Sequence, residues 1–125
     1  MPYSIRVKSS FSAAHALRNY EGPCENVHGH NFTVELVIEV KELNKIGISI
    51  DFKTIDRIFN DILKDIDHAN LNDKKPFTVI NPTAENIARY IYDCMTQPLR
   101  DLGGVLKAVT VKESPKYAAT FTPDI

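Results

Sequence analysis

A chain of 125 residues with 43% hydrophobic and 25% charged residues has the composition of one globular domain, residues 1–125, around a single core. The formal net charge of −1 gives no indication of a nucleic-acid partner. No segment approaches the roughly 18 apolar residues of a membrane helix, and the first ten residues lack a signal-peptide core. We therefore expect a cytoplasmic protein, with Cys24 and Cys94 as free thiols.

Two strands are predicted in the first third of the chain. Residues 3–13 alternate between apolar and mostly polar side chains, and residues 31–40 alternate more regularly. The segment between them, which contains Gly22, Pro23 and Gly29, shows no sustained period and is predicted to be a loop.

Two helices and two further strands are predicted after residue 50. Residues 51–66 have the apolar spacing of an amphipathic helix, and residues 67–82 are predicted to be a loop. Thr83 opens a second helix that Pro98 should end or kink, with Cys94 on its apolar face. The patterns of residues 104–114 and 117–122 predict two strands. Val105 and Glu113 are expected on the same face of the first of these two strands. The order ββααββ predicts an α+β fold: a four-stranded antiparallel sheet with two helices on one face.

Three histidines are predicted to converge at one end of this sheet. His28 and His30 are two residues apart at the entrance to the second strand, and His15 follows the first strand. Neutral imidazoles bind zinc, and three protein ligands with a fourth open position are typical of a catalytic zinc. An HxH pair alone is weak evidence, because packed or solvent-exposed histidines produce the same pattern.

Six motifs together resemble the 6-pyruvoyl- and 6-carboxy-tetrahydropterin synthase family. They are FSAAH at 11–15, CENVHGHNF at 24–32, IDF at 50–52, DHANLN at 67–72, NPTAENIARYI at 81–91 and VKES at 111–114. The resemblance runs in register over nearly the whole chain. It implies a tunnelling fold whose sheets join between subunits into a barrel, a hexamer of two trimers, a zinc cofactor and a dihydroneopterin triphosphate substrate.

The resemblance also implies metal ligands and pterin contacts. The zinc ligands fall on His15, His28 and His30, and the pterin anchor falls on Glu113. A carboxylate on an apolar strand face needs a donor, and the amino group and ring N–H of a pterin supply two. The strand could instead end before Glu113, leaving its side chain in water. Thr83 lies where the family contacts the pterin, although a helix N-cap explains this residue equally well.

The implied proton-transfer groups are Cys24, Asp67 and His68. A thiol near zinc and an imidazolium has a lowered pKa, so Cys24 can act as the general base. The family couples this base to the Asp67–His68 pair of a neighbouring subunit. Two alternatives remain open from the residues alone: Cys24 as a fourth, structural zinc ligand, and Asp67–His68 as a helix-terminal pair.

The product depends on the loop that carries Cys24. Three residues separate Cys24 from His28, which resembles the 6-carboxy type of queuosine biosynthesis more than the animal pyruvoyl type with its longer insertion. Glu25, however, occupies the position of the glutamate base in the branch that makes 6-hydroxymethyl-dihydropterin for folate. Glu25 could equally be a surface residue. Two further alternatives are the 6-pyruvoyl reaction and a zinc-stabilised module that binds a pterin or purine without converting it. Four protein ligands on the zinc, including Cys24, would favour the binding module.

Overall fold

A five-stranded sheet with strand order β3-β1-β2-β4-β5 forms one layer of the computed structural model, which describes residues 2–22 and 25–123. The strands are β1 Tyr3–His15, β2 His28–Val40, β3 Ala69–Asn70, β4 Gly104–Lys112 and β5 Ala118–Phe121. The helices are α1 Phe52–Leu63 and α2 Ala84–Asp101, and a short 3-10 helix spans Leu71–Asp73. The predicted α+β class, four antiparallel strands and two helices are confirmed. The sheet is mixed rather than purely antiparallel, because the two-residue β3 pairs parallel with β1 and is too short to show any sequence period.

The β1–β2 pair sets the position of the histidines. Pairing is antiparallel and continuous, from Tyr3 opposite Val40 to His15 opposite His28. Both strands are longer than predicted, because β1 extends to His15 and β2 begins at His28. Alternate side chains on both strands face the helices and form the core, and the histidines continue that face at its end.

A β-bulge changes which residues of β4 face the core. Ala108 pairs with Val37 and Leu106 with Ile38, which leaves one extra residue in β4. The bulge shifts the alternation by one position, so Leu106 is buried and Val105 is 41% exposed. The prediction that Val105 shares a face with the buried residues beyond the bulge is therefore wrong.

Helix α1 packs one apolar face against the sheet. The side chain of Asp51 caps its N-terminus by accepting a hydrogen bond of 2.9 Å from the backbone N–H two residues on. Ile55, Phe59 and Leu63, spaced by four residues, are buried in the core. Burial of this stripe holds a helix of only 12 residues in place.

Helix α2 continues through Pro98 to Asp101, so this proline does not end the helix, which was one of its two predicted effects. Leu99, directly after it, is completely buried, and this packing keeps the last turn helical despite the lost backbone hydrogen bond. Cys94 is a free thiol, half-buried rather than fully in the core. Within the described part of the chain, neither helix is both long and apolar enough to cross a membrane.

Candidate metal centre and active site

Three histidine rings converge at the end of the β1–β2 pair. The ring centroid of His15 lies 4.6 Å from that of His28 and 5.3 Å from that of His30. The ring centroids of His28 and His30 are 4.9 Å apart. One ligand atom from each histidine and one carboxylate oxygen of Glu113 all lie within 4.8 Å of one another. The antiparallel register explains this convergence, because His15 is opposite His28 and His30 is opposite Ala13 on the same face.

Two backbone carbonyls fix the ring nitrogens of this cluster. His15 Nδ1 lies 2.6 Å from the carbonyl oxygen of Pro82, and His28 Nδ1 lies 2.7 Å from that of Asn26. A carbonyl only accepts, so each Nδ1 carries a hydrogen and each neutral ring presents the lone pair of Nε2. His15 is 2% exposed, and its Nε2 has no hydrogen-bond partner among the described residues. A buried nitrogen lone pair without a donor fits a metal ion well.

Glu113 joins the histidines from the neighbouring strand. It follows the last residue of β4, and its backbone N–H donates to the carbonyl of Tyr117 across the β4–β5 turn at 3.0 Å. Its Oε1 lies 3.3 Å from His15 Nε2 and 3.1 Å from His30 Nε2. The regular strand does end before Glu113, yet the carboxylate points at the imidazoles. Sequence reasoning treated this residue as a separate pterin anchor and missed its contact with the histidines.

Burial lowers the pKa of His30, while the carboxylate of Glu113 acts in the opposite direction. The neighbouring rings of His15 and His28 lower this pKa further. His30 is therefore neutral at pH 7, the form in which an imidazole binds a metal.

Two asparagines that sequence reasoning did not select hold the segment that follows His15. Asn72 accepts a hydrogen bond from the N–H of Ala16 at 2.8 Å and donates to its carbonyl at 3.0 Å. Asn81 makes the same pair of bonds with Arg18, at 2.8 and 2.9 Å. The two side-chain amides thus extend the pairing of β1 beyond its last residue. Both belong to motifs quoted above, DHANLN and NPTAEN, which were the only signal available.

Asp67 and His68 lie at the outer edge of β1. Asp67 Oδ1 accepts a 2.9 Å hydrogen bond from the Ser12 N–H and lies 3.1 Å from His68 Nδ1. The bond from Ser12 is the main cause of the lowered pKa of Asp67. His68 has φ of 56°, and its side chain is 81% exposed. It lines an open cavity of about 500 Å³ that His30 also lines, but neither Asp67 nor His68 belongs to the four-residue cluster.

The remaining predicted residues lie apart from the cluster or outside the structure. Cys24 is outside the described residues, so its role stays a prediction. Glu25 is exposed, and its N–H donates to the carbonyl of Gly22 at 3.2 Å. The hydroxyl of Thr83 accepts a hydrogen bond from the Asn86 N–H at 3.1 Å and caps α2, which was the alternative interpretation of this residue.

The chain is an α+β domain with three histidines and a carboxylate at one end of its sheet, a group that could hold a metal ion. Residues 4–124 match the family model described as 6-pyruvoyl tetrahydropterin synthase. The chain belongs to this family and has its tunnelling fold.

Relatives with three different names share this similarity. The dihydroneopterin monophosphate aldolase of Pyrococcus furiosus is 40% identical over 91 residues, 73% of each chain. The 6-carboxy-5,6,7,8-tetrahydropterin synthase of Bacillus subtilis is 30% identical over 131 aligned positions, 98% of this chain and 88% of the relative. The structure of Caenorhabditis elegans 6-pyruvoyl tetrahydropterin synthase superposes with a TM-score of 0.89 at 26% identity, covering 99% of this chain and 97% of the other.

Proposed function

We propose that this chain is a zinc-dependent lyase that converts 7,8-dihydroneopterin triphosphate into 6-carboxy-5,6,7,8-tetrahydropterin, for queuosine-type deazapurine biosynthesis. The convergence of His15, His28 and His30, with Nε2 of His15 and His28 directed by backbone carbonyls at Nδ1, carries the proposal. The Bacillus subtilis relative of that name, aligned over 98% of this chain, supports the choice of product.

Each group has a distinct task in this reaction. His15, His28 and His30 would hold the zinc, which polarises the hydroxyls of the substrate side chain when bound. Glu113 would pair with the amino group and ring N–H of the pterin and so orient the side chain. Cys24 would then remove the proton from the side-chain carbon.

A complete site on this proposal needs a second copy of the chain, which would supply the partner subunit's Asp67 and the partner subunit's His68. The exposure of the His68 side chain, 81%, supports contact with a neighbour. On its outer edge β1 pairs with β3 only at Ala13 and Ala14 within the described residues, and β5 lies at the opposite edge of the sheet. Open edges favour pairing with further strands, so we propose a barrel-forming hexamer of two trimers. Sedimentation that shows a fully active monomer would contradict this assembly.

Product analysis tests the reaction directly. Purified protein loaded with zinc is incubated with 7,8-dihydroneopterin triphosphate, and the products are identified by mass. Cys24→Ala should abolish the 6-carboxy product while zinc and pterin binding persist, because the thiol is neither ligand nor anchor in this proposal. Undiminished 6-carboxy production by this variant, or loss of its zinc, would refute the role given to Cys24.

A second candidate is retro-aldol cleavage of the side chain to 6-hydroxymethyl-7,8-dihydropterin. Glu25, directly after Cys24, and the aldolase name of the Pyrococcus furiosus relative both favour it. The same assay with dihydroneopterin monophosphate separates the two candidates. Glu25→Ala should remove only the cleavage product, because neighbouring side chains reach different atoms of a fixed substrate. Equal loss of both products in this variant would contradict separate roles.

A further inference from the structure

The position of the Glu113 carboxylate matches that of a metal ligand. Two ligand atoms of a tetrahedral zinc, each about 2.1 Å from the ion, are about 3.4 Å apart. The Oε1 atom lies 3.3 Å from His15 Nε2 and 3.1 Å from His30 Nε2. The same atom is thus at ligand spacing from two histidines at once.

An ordinary hydrogen bond does not explain the contact between Glu113 and His15. The Nδ1 atom of His15 is directed to Pro82, so in the neutral ring that a metal requires, Nε2 faces the carboxylate with a lone pair. Although Oε1 is 3.3 Å away, His15 Nε2 forms no hydrogen bond within the described residues. Two facing lone pairs repel each other, and a cation between them turns this repulsion into shared coordination.

We propose that Glu113 is the fourth ligand of the metal in the pterin-free protein and that binding of the pterin ring removes it from the metal. This inference rests on the proposed function, in which the same carboxylate anchors the pterin. Bidentate pairing with a pterin uses both carboxylate oxygens, so Oε1 cannot remain on the ion. The fourth coordination position therefore opens only when the ring is seated.

Metal and pterin are expected to oppose each other's binding. Since both use one carboxylate, zinc weakens the affinity for the pterin ring, and the ring weakens the affinity for zinc by the same factor. We expect a factor of about ten for pterin without a 6-substituent, which has no side-chain hydroxyls to coordinate the ion.

The first experiment identifies the ligand in the protein without pterin. Zinc X-ray absorption and a chelator competition compare wild type, Glu113→Gln and Glu85→Gln. The control removes the same charge from an exposed residue in the first turn of α2. Glu113→Gln should change the oxygen shell and lower zinc affinity at least about tenfold, with Glu85→Gln unchanged. An unchanged spectrum and an unchanged zinc affinity in Glu113→Gln would overturn the proposal. A sulfur ligand in the wild-type spectrum would also overturn it, because it would assign the fourth coordination position to Cys24.

The second experiment measures the dissociation constant of unsubstituted pterin with metal-free and zinc-loaded wild-type protein. Affinity about ten times weaker in the zinc-loaded form supports exchange of Glu113. Equal affinities overturn the exchange while leaving the proposed function intact. Absence of pterin binding in both forms refutes the proposed function itself and the inference with it.

Discussion

The asparagine contacts to the segment after His15 predict a linked loss of stability and metal affinity. Asn81→Ala removes two partly buried hydrogen bonds to Arg18, of 2.8 and 2.9 Å. Each such bond contributes about 0.5–1.5 kcal/mol, so the free energy of unfolding should fall by about 2 kcal/mol. The next residue, Pro82, supplies the carbonyl that fixes His15 Nδ1, so zinc affinity should also fall about tenfold.

A matched control separates these two effects. Asn44→Ala also removes two hydrogen bonds, both 3.0 Å, from an exposed loop remote from the cluster. Urea unfolding of the metal-free proteins gives the stabilities, and chelator competition gives the zinc affinities. Asn44→Ala should cost about 1 kcal/mol or less and leave zinc affinity unchanged. Asn81→Asp, which keeps the acceptor and loses the donor, should be intermediate. Wild-type zinc affinity in Asn81→Ala would refute the positioning role.

Three further predictions concern the core and the histidine-bearing start of β2. Burial raises the pKa of Tyr90 to about 12, so the folded protein keeps this phenol protonated where the unfolded chain ionises it. The free energy of unfolding, measured by urea titration, should therefore fall as the pH rises from about 10 to about 12. Tyr90→Phe should reduce that fall, and an identical fall in the variant would contradict the role given to Tyr90. Gly104→Ala puts a Cβ 2.8 Å from a methyl of Ile38 and should lower the melting temperature, at a cost of about 1–3 kcal/mol; an unchanged melting temperature contradicts it. Gly29→Ala in β2 meets nothing closer than 3.8 Å and should keep its zinc affinity within about threefold; a larger loss in chelator competition would show that the strand needs glycine between the two histidines.

The sequence by itself determined the elements and their class. Alternation in β1 and β2 and the period of α1 depend on neighbours within a few residues, and these local patterns predict which face of each element is buried. Convergence of the histidines followed from the same patterns, because two adjacent antiparallel strands bring His15 beside His28. The chemistry of the cluster was therefore open to prediction, and the motif resemblance supplied the family.

Only the tertiary structure decided how the cluster is held and what faces it. The hydrogen bonds that hold His15 and the segment after it connect pairs of residues separated by 56, 63 and 67 positions in the sequence. No local period encodes such pairs. The bulge in β4, the two-residue β3 and the helical turn after Pro98 each depend on packing against another element. Glu113 shows the same limit: strand alternation placed it on the face that the histidines share, but only the register of β4 against β2 brings its carboxylate to His15 and His30. Side-chain partners across a sheet depend on the register and docking of whole elements, so they are settled only when the chain has folded.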